Sequence, residues 1–231
     1  MPFYFDSTWL ILIPGIVLAL VAQARVNGAF MRYSQIKSMN GWTAASAARR
    51  MLDENGLDTV RILEANGRLT DNYNPRNRTL NLSVSVYNSQ SLAALGVAAH
   101  EVGHAIQHGK RYAPMALRSA LVPVANIGSM AAWPLLFLGL ILSIPVLVTI
   151  GVGVFGFAVL FQIVTLPVEY DASRRALGLL SEGGYLREEE VAGARRVLSA
   201  AALTYLAATL MAILQFLRLL LLANGGRRRN D

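Results

Sequence analysis

Cysteine is absent from this chain, histidine occurs three times, and charged residues are scarce. Without thiols, disulfides and thiolate metal ligands are excluded, so any metal site has to use histidine and carboxylate side chains. Charged residues make up 15% of the sequence and hydrophobic residues 54%, whereas an ordinary soluble domain carries about 25% charged residues. The apolar residues are also grouped in long blocks, which indicates a membrane protein rather than a soluble domain with a large core.

Long apolar blocks predict about four membrane-spanning helices. The first block runs from about Trp9 to Ala22 and the last from about Ala200 to Ala223. Between them, residues 117–168 contain no aspartate, glutamate or lysine. This stretch is too long for one span and suits two spans of about 20–25 residues each, joined as a hairpin by a turn at 143–145. The chain is therefore predicted to be a mainly α-helical integral membrane protein.

The net charge of +7 is explained by membrane topology. Most basic residues lie in two hydrophilic segments, about 25–112 and 169–198, and positive charge tends to remain on the cytoplasmic side of a membrane. No basic stripe interleaved with aromatic residues is present in the sequence, so nucleic-acid binding is not predicted. The sequence predicts a multi-pass protein of the inner (plasma) membrane with both hydrophilic segments in the cytoplasm.

The first hydrophilic segment has the pattern of a small α+β unit. Capping residues and hydrophobic periodicity predict a helix from Thr43 to Asn55, a strand over 59–64, a strand over 80–86, and a helix over 91–108. Two short runs between these elements, Asn66-Gly67 and Asp71–Pro75, have the composition of turns.

His100 and His104 have the spacing of two ligands that bind one metal ion from a helix. Four residues of an α-helix rotate by about 400°, so both imidazoles project from nearly the same face, one turn apart. Two ring nitrogens at this spacing can bind one Zn²⁺ at about 2.0–2.1 Å. Glu101 follows His100 in the motif His-Glu-Val-Gly-His, where it can take a proton from metal-activated water. The alternative interpretation of the motif is a coincidental occurrence. Gly103 either permits the close approach of another backbone or is a tolerated helix glycine.

A catalytic zinc site needs a third protein ligand and one open position. The remaining histidine, His108, lies about 12 Å along the helix axis from the first ligand histidine, so all three cannot bind one ion. His108 is interpreted as a residue behind the ligands or an interfacial polar residue. The third ligand is predicted to be a carboxylate: Glu169, which directly follows the long apolar stretch, or else Asp171. The alternative for Glu169 is a membrane-boundary carboxylate paired with Arg174 or Arg175.

Two runs of the sequence resemble a known family. The run from Val97 to Gln107 contains His-Glu-Val-Gly-His, and the run from Pro167 to Ala176 contains Val-Glu-Tyr-Asp-Ala-Ser-Arg-Arg. Both are similar to the neutral zinc metallopeptidases of the bacterial YugP type, which are distantly similar to membrane peptidases of the HtpX and CAAX-processing kinds. The resemblance covers nearly the whole chain, including residues 69–75, and implies a membrane zinc peptidase with a gluzincin-like unit.

The resemblance also implies a role for each residue of the motif. His100, His104 and Glu169 are expected to bind zinc, and Glu101 is expected to act as the general base. Family members often have Asp-His-Tyr-Asp-Pro where this chain has Asp-Asn-Tyr-Asn-Pro over 71–75, so any role of that histidine is missing here.

Other residues near the motif are candidates for positioning ligands or substrate. The distant relatives have aspartate four residues after the ligand glutamate; this chain has Ser173 there, so Asp171 is a second candidate for orienting a ligand. In such folds the strand before the metal helix lies at the edge of the site and pairs with an extended substrate, and Thr79–Tyr87 is the matching segment, unless it is a simple packing strand. Its expected polar face consists of Asn81, Ser83 and Ser85, and the candidates for stabilising the oxyanion are Tyr73, Tyr87 and Arg174.

The sequence therefore predicts a membrane-embedded endopeptidase with one Zn²⁺ per chain. Its predicted partners are the lipid bilayer and membrane protein or peptide substrates, with an unknown membrane partner or oligomer left open. A non-proteolytic membrane scaffold with a structural zinc site and a hydrolase of a non-peptide amide are the alternatives. The predicted division is an N-terminal transmembrane anchor (1–24), a cytoplasmic catalytic unit (25–112), a transmembrane hairpin (113–168), a cytoplasmic helical segment that completes the metal site (169–198), and a C-terminal transmembrane helix with a basic tail (199–231).

Overall fold

The computed structural model of the chain describes residues 7–67 and 70–227. The predicted basic tail beyond residue 227, residues 1–6 of the predicted anchor and residue 69 of the run similar to the family lie outside this part. The elements are a 3-10 helix (Ser7–Leu12), α1 (Ile13–Ser34), α2 (Ala44–Glu54), β1 (Arg61–Ala65), β2 (Asn72–Asn74), β3 (Thr79–Ser83), α3 (Val84–Tyr87), α4 (Leu92–Gly109), α5 (Ala113–Ile141), α6 (Pro145–Glu182) and α7 (Glu188–Arg227).

In the described part of the chain, four helical segments are long and apolar enough to cross a membrane: Ser7–Ser34, Ala113–Ile141, Pro145–Glu182 and Glu188–Ala223. The predictions of a mainly α-helical fold, about four spanning helices and a small sheet are confirmed. The turn between the second and third segments contains Ser143 with a φ of 55°, which agrees with the predicted turn at 143–145. The helices α6 and α7 extend past their apolar parts, so residues 169–198 mostly continue these two helices.

The described chain divides into two compact units. The first combines the chain up to Val21, Leu117–Leu166 and the chain from Tyr205 onward. Inside it, the backbone of Gly15 lies so close to α7 that an added Cβ would be 3.1 Å from the Met211 Cε atom. Its buried apolar side chains include Leu136, Val148, Val152 and Leu219.

The second unit consists of Ala22–Ala116 and Pro167–Thr204, and α4 forms its centre. Most residues of α4 are buried, because it packs on α2 and is approached by α6 and α7 on other faces. Glycines permit these approaches: an added Cβ on Gly96 would lie 3.5 Å from the Ala194 Cβ of α7, and one on Gly103 would lie 2.7 Å from the Ala172 carbonyl oxygen of α6. Gly103 is thus a point of close backbone approach, one of its two interpretations.

Side-chain caps fix where α2 and α4 begin. The Thr43 Oγ1 atom accepts a hydrogen bond from the Ser46 backbone N–H at 3.2 Å, and the Ser91 Oγ atom accepts one from the Ala94 N–H at 3.2 Å. Such caps satisfy N–H groups that have no partner in the first helical turn. The predicted helices over 43–55 and 91–108 are therefore confirmed, with Gly56 in the left-handed conformation after α2.

The sheet differs from the sequence prediction in two places. Its strand order is β1-β3-β2, with β1 parallel and β2 antiparallel to β3. The predicted turn over 71–75 contains the strand β2, and the turn itself falls at 75–78, where Arg78 has a φ of 51°. The predicted strand over 80–86 ends at Ser83 and continues as the short helix α3. Pairing with a neighbouring strand overrides the turn-like composition of 71–75.

The Asp71 carboxylate gives the reason for the early end of β3. Its Oδ1 atom accepts a hydrogen bond from the Ser83 backbone N–H at 2.7 Å, and its Oδ2 atom accepts one from the Ser83 hydroxyl at 3.0 Å. These bonds occupy the Ser83 N–H and hydroxyl, while Ser83 remains the last residue of β3 that pairs with β1, opposite Ala65. Because β3 is paired on both sides, the expectation that Thr79–Tyr87 is an edge strand that pairs with substrate is wrong.

We expect Gly103→Ala to destabilise the second unit. The new methyl group would meet the Ala172 carbonyl oxygen, and overpacking of this kind typically costs about 1–3 kcal/mol, which exceeds the helix-propensity gain of about 1 kcal/mol. Thermal unfolding in detergent measures the effect as a lower midpoint. Gly28→Ala on α1 is the matched control, because an added Cβ meets nothing within 4 Å there. An unchanged midpoint for Gly103→Ala would contradict the close approach.

Candidate metal centre

Three ligand-type side chains converge where α4 passes α6. His100, His104 and Glu169 offer ligand atoms that all lie within 4.8 Å of one another. The Glu169 Oε2 atom is 3.2 Å from the His100 Nε2 atom and 3.4 Å from the His104 Nε2 atom. The two imidazole rings are 4.7 Å apart at 84° to each other, one helical turn apart as the spacing predicts. Glu169 and the first histidine are 69 residues apart in the sequence, and the contact between α4 and α6 brings them together.

This cluster fits a zinc ion. Ligand atoms bound to one tetrahedral Zn²⁺ at about 2.0–2.2 Å lie about 3.3–3.5 Å from each other, which agrees with the two nitrogen–oxygen distances of 3.2 and 3.4 Å. Two imidazoles and one carboxylate also match the donor types of catalytic zinc sites, which leave a fourth position open. The Glu169 side chain is only 2% exposed, so its charge needs partners such as these.

Gln107 fixes the orientation of the His104 ring. Its Nε2 group donates to the Val168 carbonyl at 2.8 Å and to the Asp171 Oδ2 atom at 2.9 Å. The Oε1 atom is thereby left to accept from the His104 Nδ1–H at 3.0 Å. This arrangement places a proton on Nδ1 and directs Nε2, the atom that would bind a metal, toward Glu169. The sequence prediction missed Gln107, although it lies three residues after His104 and so on the same helical face.

Ser173 and Asp171 complete the layer of residues behind the ligands. The Ser173 Oγ atom lies 3.1 Å from the His100 Nδ1 atom, so serine occupies the place expected for the relatives' aspartate. Asp171 does not contact a ligand histidine directly in the described hydrogen-bond network; it holds the Gln107 amide. The carboxylate of Asp171 also pairs with Arg174 and Arg175. The arginines proposed as alternative partners of Glu169 therefore both contact the neighbouring aspartate.

Glu101 directly follows His100 on α4 and is held by β2. Its Oε2 atom accepts a hydrogen bond from the Tyr73 backbone N–H at 2.7 Å. The side chain is 8% exposed, and its Oε1 atom has no hydrogen-bond partner among residues 7–67 and 70–227. One carboxylate oxygen is therefore anchored, and the other is available to a water molecule or substrate.

The Tyr73 side chain links the sheet to the end of α4. Its hydroxyl lies 2.8 Å from the His108 Nδ1 atom, and the two rings are 5.8 Å apart. His108 is thus placed as a partner of Tyr73, one turn beyond His104, and is not part of the three-residue cluster. Burial raises the pKa of the Tyr73 phenol above its ordinary value, so the hydroxyl keeps its proton at neutral pH.

Opposing effects act on the pKa of His104. Burial lowers it most strongly, but the hydrogen bond to Glu169 and the negative charges of Glu101 and Glu169 outweigh burial and raise the pKa above the ordinary value. In the metal-free protein this imidazole therefore takes up a proton more readily than an ordinary histidine. A divalent ion has to displace that proton, so metal binding is favoured as the pH rises.

The other predicted candidates make contacts elsewhere in the second unit. Asn81 donates to Asn72 on β2, and Ser83 contacts both Asp71 and Ser85. Within the described part of the chain, no hydrogen bond joins Asn81, Ser83 or Ser85 to the three-residue cluster. Tyr87 lines a separate hollow with residues of α2, and Arg174 points outward with a side chain that is 80% exposed.

We expect Gln107→Ala and Ser173→Ala each to weaken zinc binding by about 10–100-fold, the usual effect of removing a residue that orients a ligand. Each change leaves one imidazole without its Nδ1 partner. Competition with a chromophoric chelator measures the affinity, and Gln35→Ala and Ser181→Ala are matched controls at exposed positions. Wild-type affinity in both variants would show that these contacts do not support the ligands.

Comparison with known proteins agrees with this geometry. The sequence profile of the family described as "Putative neutral zinc metallopeptidase" matches residues 8–224. The chain is also 44% identical over 214 residues to "Putative membrane protease YugP" of Bacillus subtilis (strain 168), an alignment that covers 92% of this chain and 95% of that protein. No solved structure matches the chain significantly. Because the profile spans most of the chain and includes His100, His104 and Glu169, the chain belongs to this family of neutral zinc metallopeptidases.

Proposed function

We propose that the protein is a zinc-dependent endopeptidase of the plasma membrane that cleaves membrane-associated proteins or peptides. The observation that carries this proposal is the convergence of His100, His104 and Glu169, with Glu101 next to the first histidine in the same helix. Three protein ligands leave one position open for water or substrate, which is the arrangement of catalytic rather than structural zinc sites.

Glu101 is proposed to carry the proton transfers. Bound zinc would polarise the scissile carbonyl and the attacking water. Glu101 then accepts a proton from that water through its Oε1 atom and later donates the proton to the leaving amine. The Tyr73 N–H keeps the carboxylate in place during both steps. General acid–base catalysis of this kind contributes about 10²–10⁴-fold to the rate.

The substrate class is inferred from the membrane context. Four apolar helices support insertion in a membrane, and the relative named above is described as a membrane protease. The basic residues of the hydrophilic segments support a cytoplasmic location of the catalytic unit. Because the chain has no cysteine, a single Asn66→Cys variant tests the orientation: a membrane-impermeant thiol reagent should label it only after the cells are opened.

A cleavage assay tests the proposed reaction. Zinc-loaded protein in proteoliposomes is incubated with a membrane-anchored substrate and, separately, with casein as a soluble unfolded chain. Mass spectrometry should find new amino and carboxyl termini from the anchored substrate, chelation should stop their formation, and added zinc should restore it. Equal cleavage of casein would contradict the restriction to membrane substrates.

A non-proteolytic scaffold with a structural zinc site is the main alternative. A structural site is normally closed by four protein ligands, whereas the cluster found among the described residues has three. Glu101 also has no ligand role in such a site. Zinc-loaded protein that cleaves no substrate but binds partners tightly would favour the scaffold, and products without a broken peptide bond would favour a hydrolase of another amide.

A further inference from the structure

A cleft lies between the second half of α6 and the first half of α7, within the second compact unit. Its volume is about 640 Å³, a size typical of sites that bind small molecules or peptide side chains. The apolar part of its wall includes Leu177, Leu198 and Leu203. Neither Glu101 nor the three residues of the metal cluster line the cleft, so it is a separate feature of the unit.

The cleft nevertheless adjoins the metal centre. Ser173 lines the cleft, and its Oγ atom lies 3.1 Å from the His100 Nδ1 atom. Tyr170, the residue after Glu169, lines it as well. A molecule bound in the cleft would therefore lie against the same turn of α6 that provides a metal ligand and orients another.

The polar part of the cleft carries positive charge and no negative charge. Arg174 and Arg195 line it, and no aspartate or glutamate is among its lining residues. Arg174 shares the carboxylate of Asp171. Arg195 is exposed and has no ion pair within residues 7–67 and 70–227. A guanidinium group beside an apolar wall suits an occupant that combines an apolar side chain with a carboxylate.

We propose that this cleft is a substrate subsite that binds an extended peptide segment carrying an apolar side chain next to a carboxylate. The inference rests on the proposed peptidase function and deepens it, because it assigns a substrate preference to a surface beside the metal centre. Tyr170 directly follows Glu169 and Ser173 contacts His100, so an occupant of the cleft lies beside the metal centre, and this position favours a peptide substrate over a lipid.

Peptide binding to inactive protein tests the subsite without requiring cleavage. Zinc-loaded Glu101→Gln protein in neutral detergent is titrated with two fluorescein-labelled peptides of leucine, alanine and serine, which differ only by glutamate or lysine at one position. Fluorescence anisotropy should show tighter binding of the glutamate peptide by roughly twofold to fivefold, the range expected for an exposed ion pair. When Arg195→Glu is added to this protein, the lysine peptide should bind more tightly than the glutamate peptide. Ser199→Trp, which fills the cleft from an exposed position, should weaken the binding of both peptides.

Arg196→Glu is the matched control, because it makes the same charge change at the neighbouring exposed residue, which does not line the cleft. This variant should keep the preference for glutamate. If Arg195→Glu leaves the preference unchanged, or Arg196→Glu abolishes it equally, the subsite is wrong. If Arg195→Glu changes only the binding of vesicles that contain phosphatidylglycerol, the arginine binds lipid and the proposal is overturned. Zinc content of each variant shows that it is folded.

The outcomes separate this proposal from the proposed function. If the wild type cleaves nothing but the preference for the glutamate peptide still depends on Arg195, the cleft binds peptides and the proposed peptidase function is wrong. If the protein cleaves peptides but neither their binding nor their cleavage depends on Arg195, the peptidase function holds and the proposed subsite is wrong.

Discussion

Glu101→Gln protein should keep its zinc and lose its hydrolytic activity by about 10²–10⁴-fold. Glutamine has nearly the shape of glutamate, and its amide oxygen can still accept the hydrogen bond from the Tyr73 backbone N–H. It cannot take up a proton from water at neutral pH, so the step proposed for Glu101 is lost while the three ligand side chains are unchanged. Metal analysis and the proteoliposome cleavage assay, applied to the same preparation, measure the two properties.

The matched control is Glu64→Gln, which makes the same chemical change at an exposed residue of β1. It should retain full activity. Cleavage by Glu101→Gln at a rate close to that of the wild type would remove the general base from the mechanism. Loss of zinc together with activity would instead make Glu101 a structural support of the metal site.

The helical part of the site was predictable from the sequence because its signals are local. The four-residue spacing of His100 and His104 determines their common face on α4, and the caps Thr43 and Ser91 lie next to the helices that they begin. Glu169 was predictable in part, because it is the carboxylate directly after the long apolar stretch. The sequence left Asp171 open as an alternative ligand.

Other parts depend on contacts between distant residues and were missed or predicted wrongly. Gln107 has no metal-ligand signature, and its role becomes clear only when the Val168 carbonyl and Asp171 of α6 are placed beside it. The run 71–75 has the composition of a turn but contains the edge strand β2, because residues 72–74 pair with β3. β3 itself has the alternation of a strand over 80–86, yet the Asp71 carboxylate ends it at Ser83.

Glu169→Ala should reduce zinc affinity by more than the about 10–100-fold expected for loss of a residue behind the ligands, and hydrolysis should be lost with the metal. The change removes the carboxylate oxygen that lies 3.2 Å from one imidazole nitrogen and 3.4 Å from the other. Competition with a chelator of known affinity measures the loss, and Glu182→Ala, at the exposed end of α6, is the control that should behave as wild type.

Asp171→Ala gives the decisive comparison, because Asp171 is the other carboxylate that the sequence left open as a ligand. In the structure Asp171 binds the Gln107 amide and two arginines, so it has no free oxygen directed at the imidazoles. Its loss should weaken zinc binding only within the about 10–100-fold range, through the Gln107 amide and the His104 ring. If Asp171→Ala instead abolished zinc binding while Glu169→Ala retained it, Asp171 would be the third ligand, and α6 would have to rotate from its present position to bring that carboxylate to the two histidines.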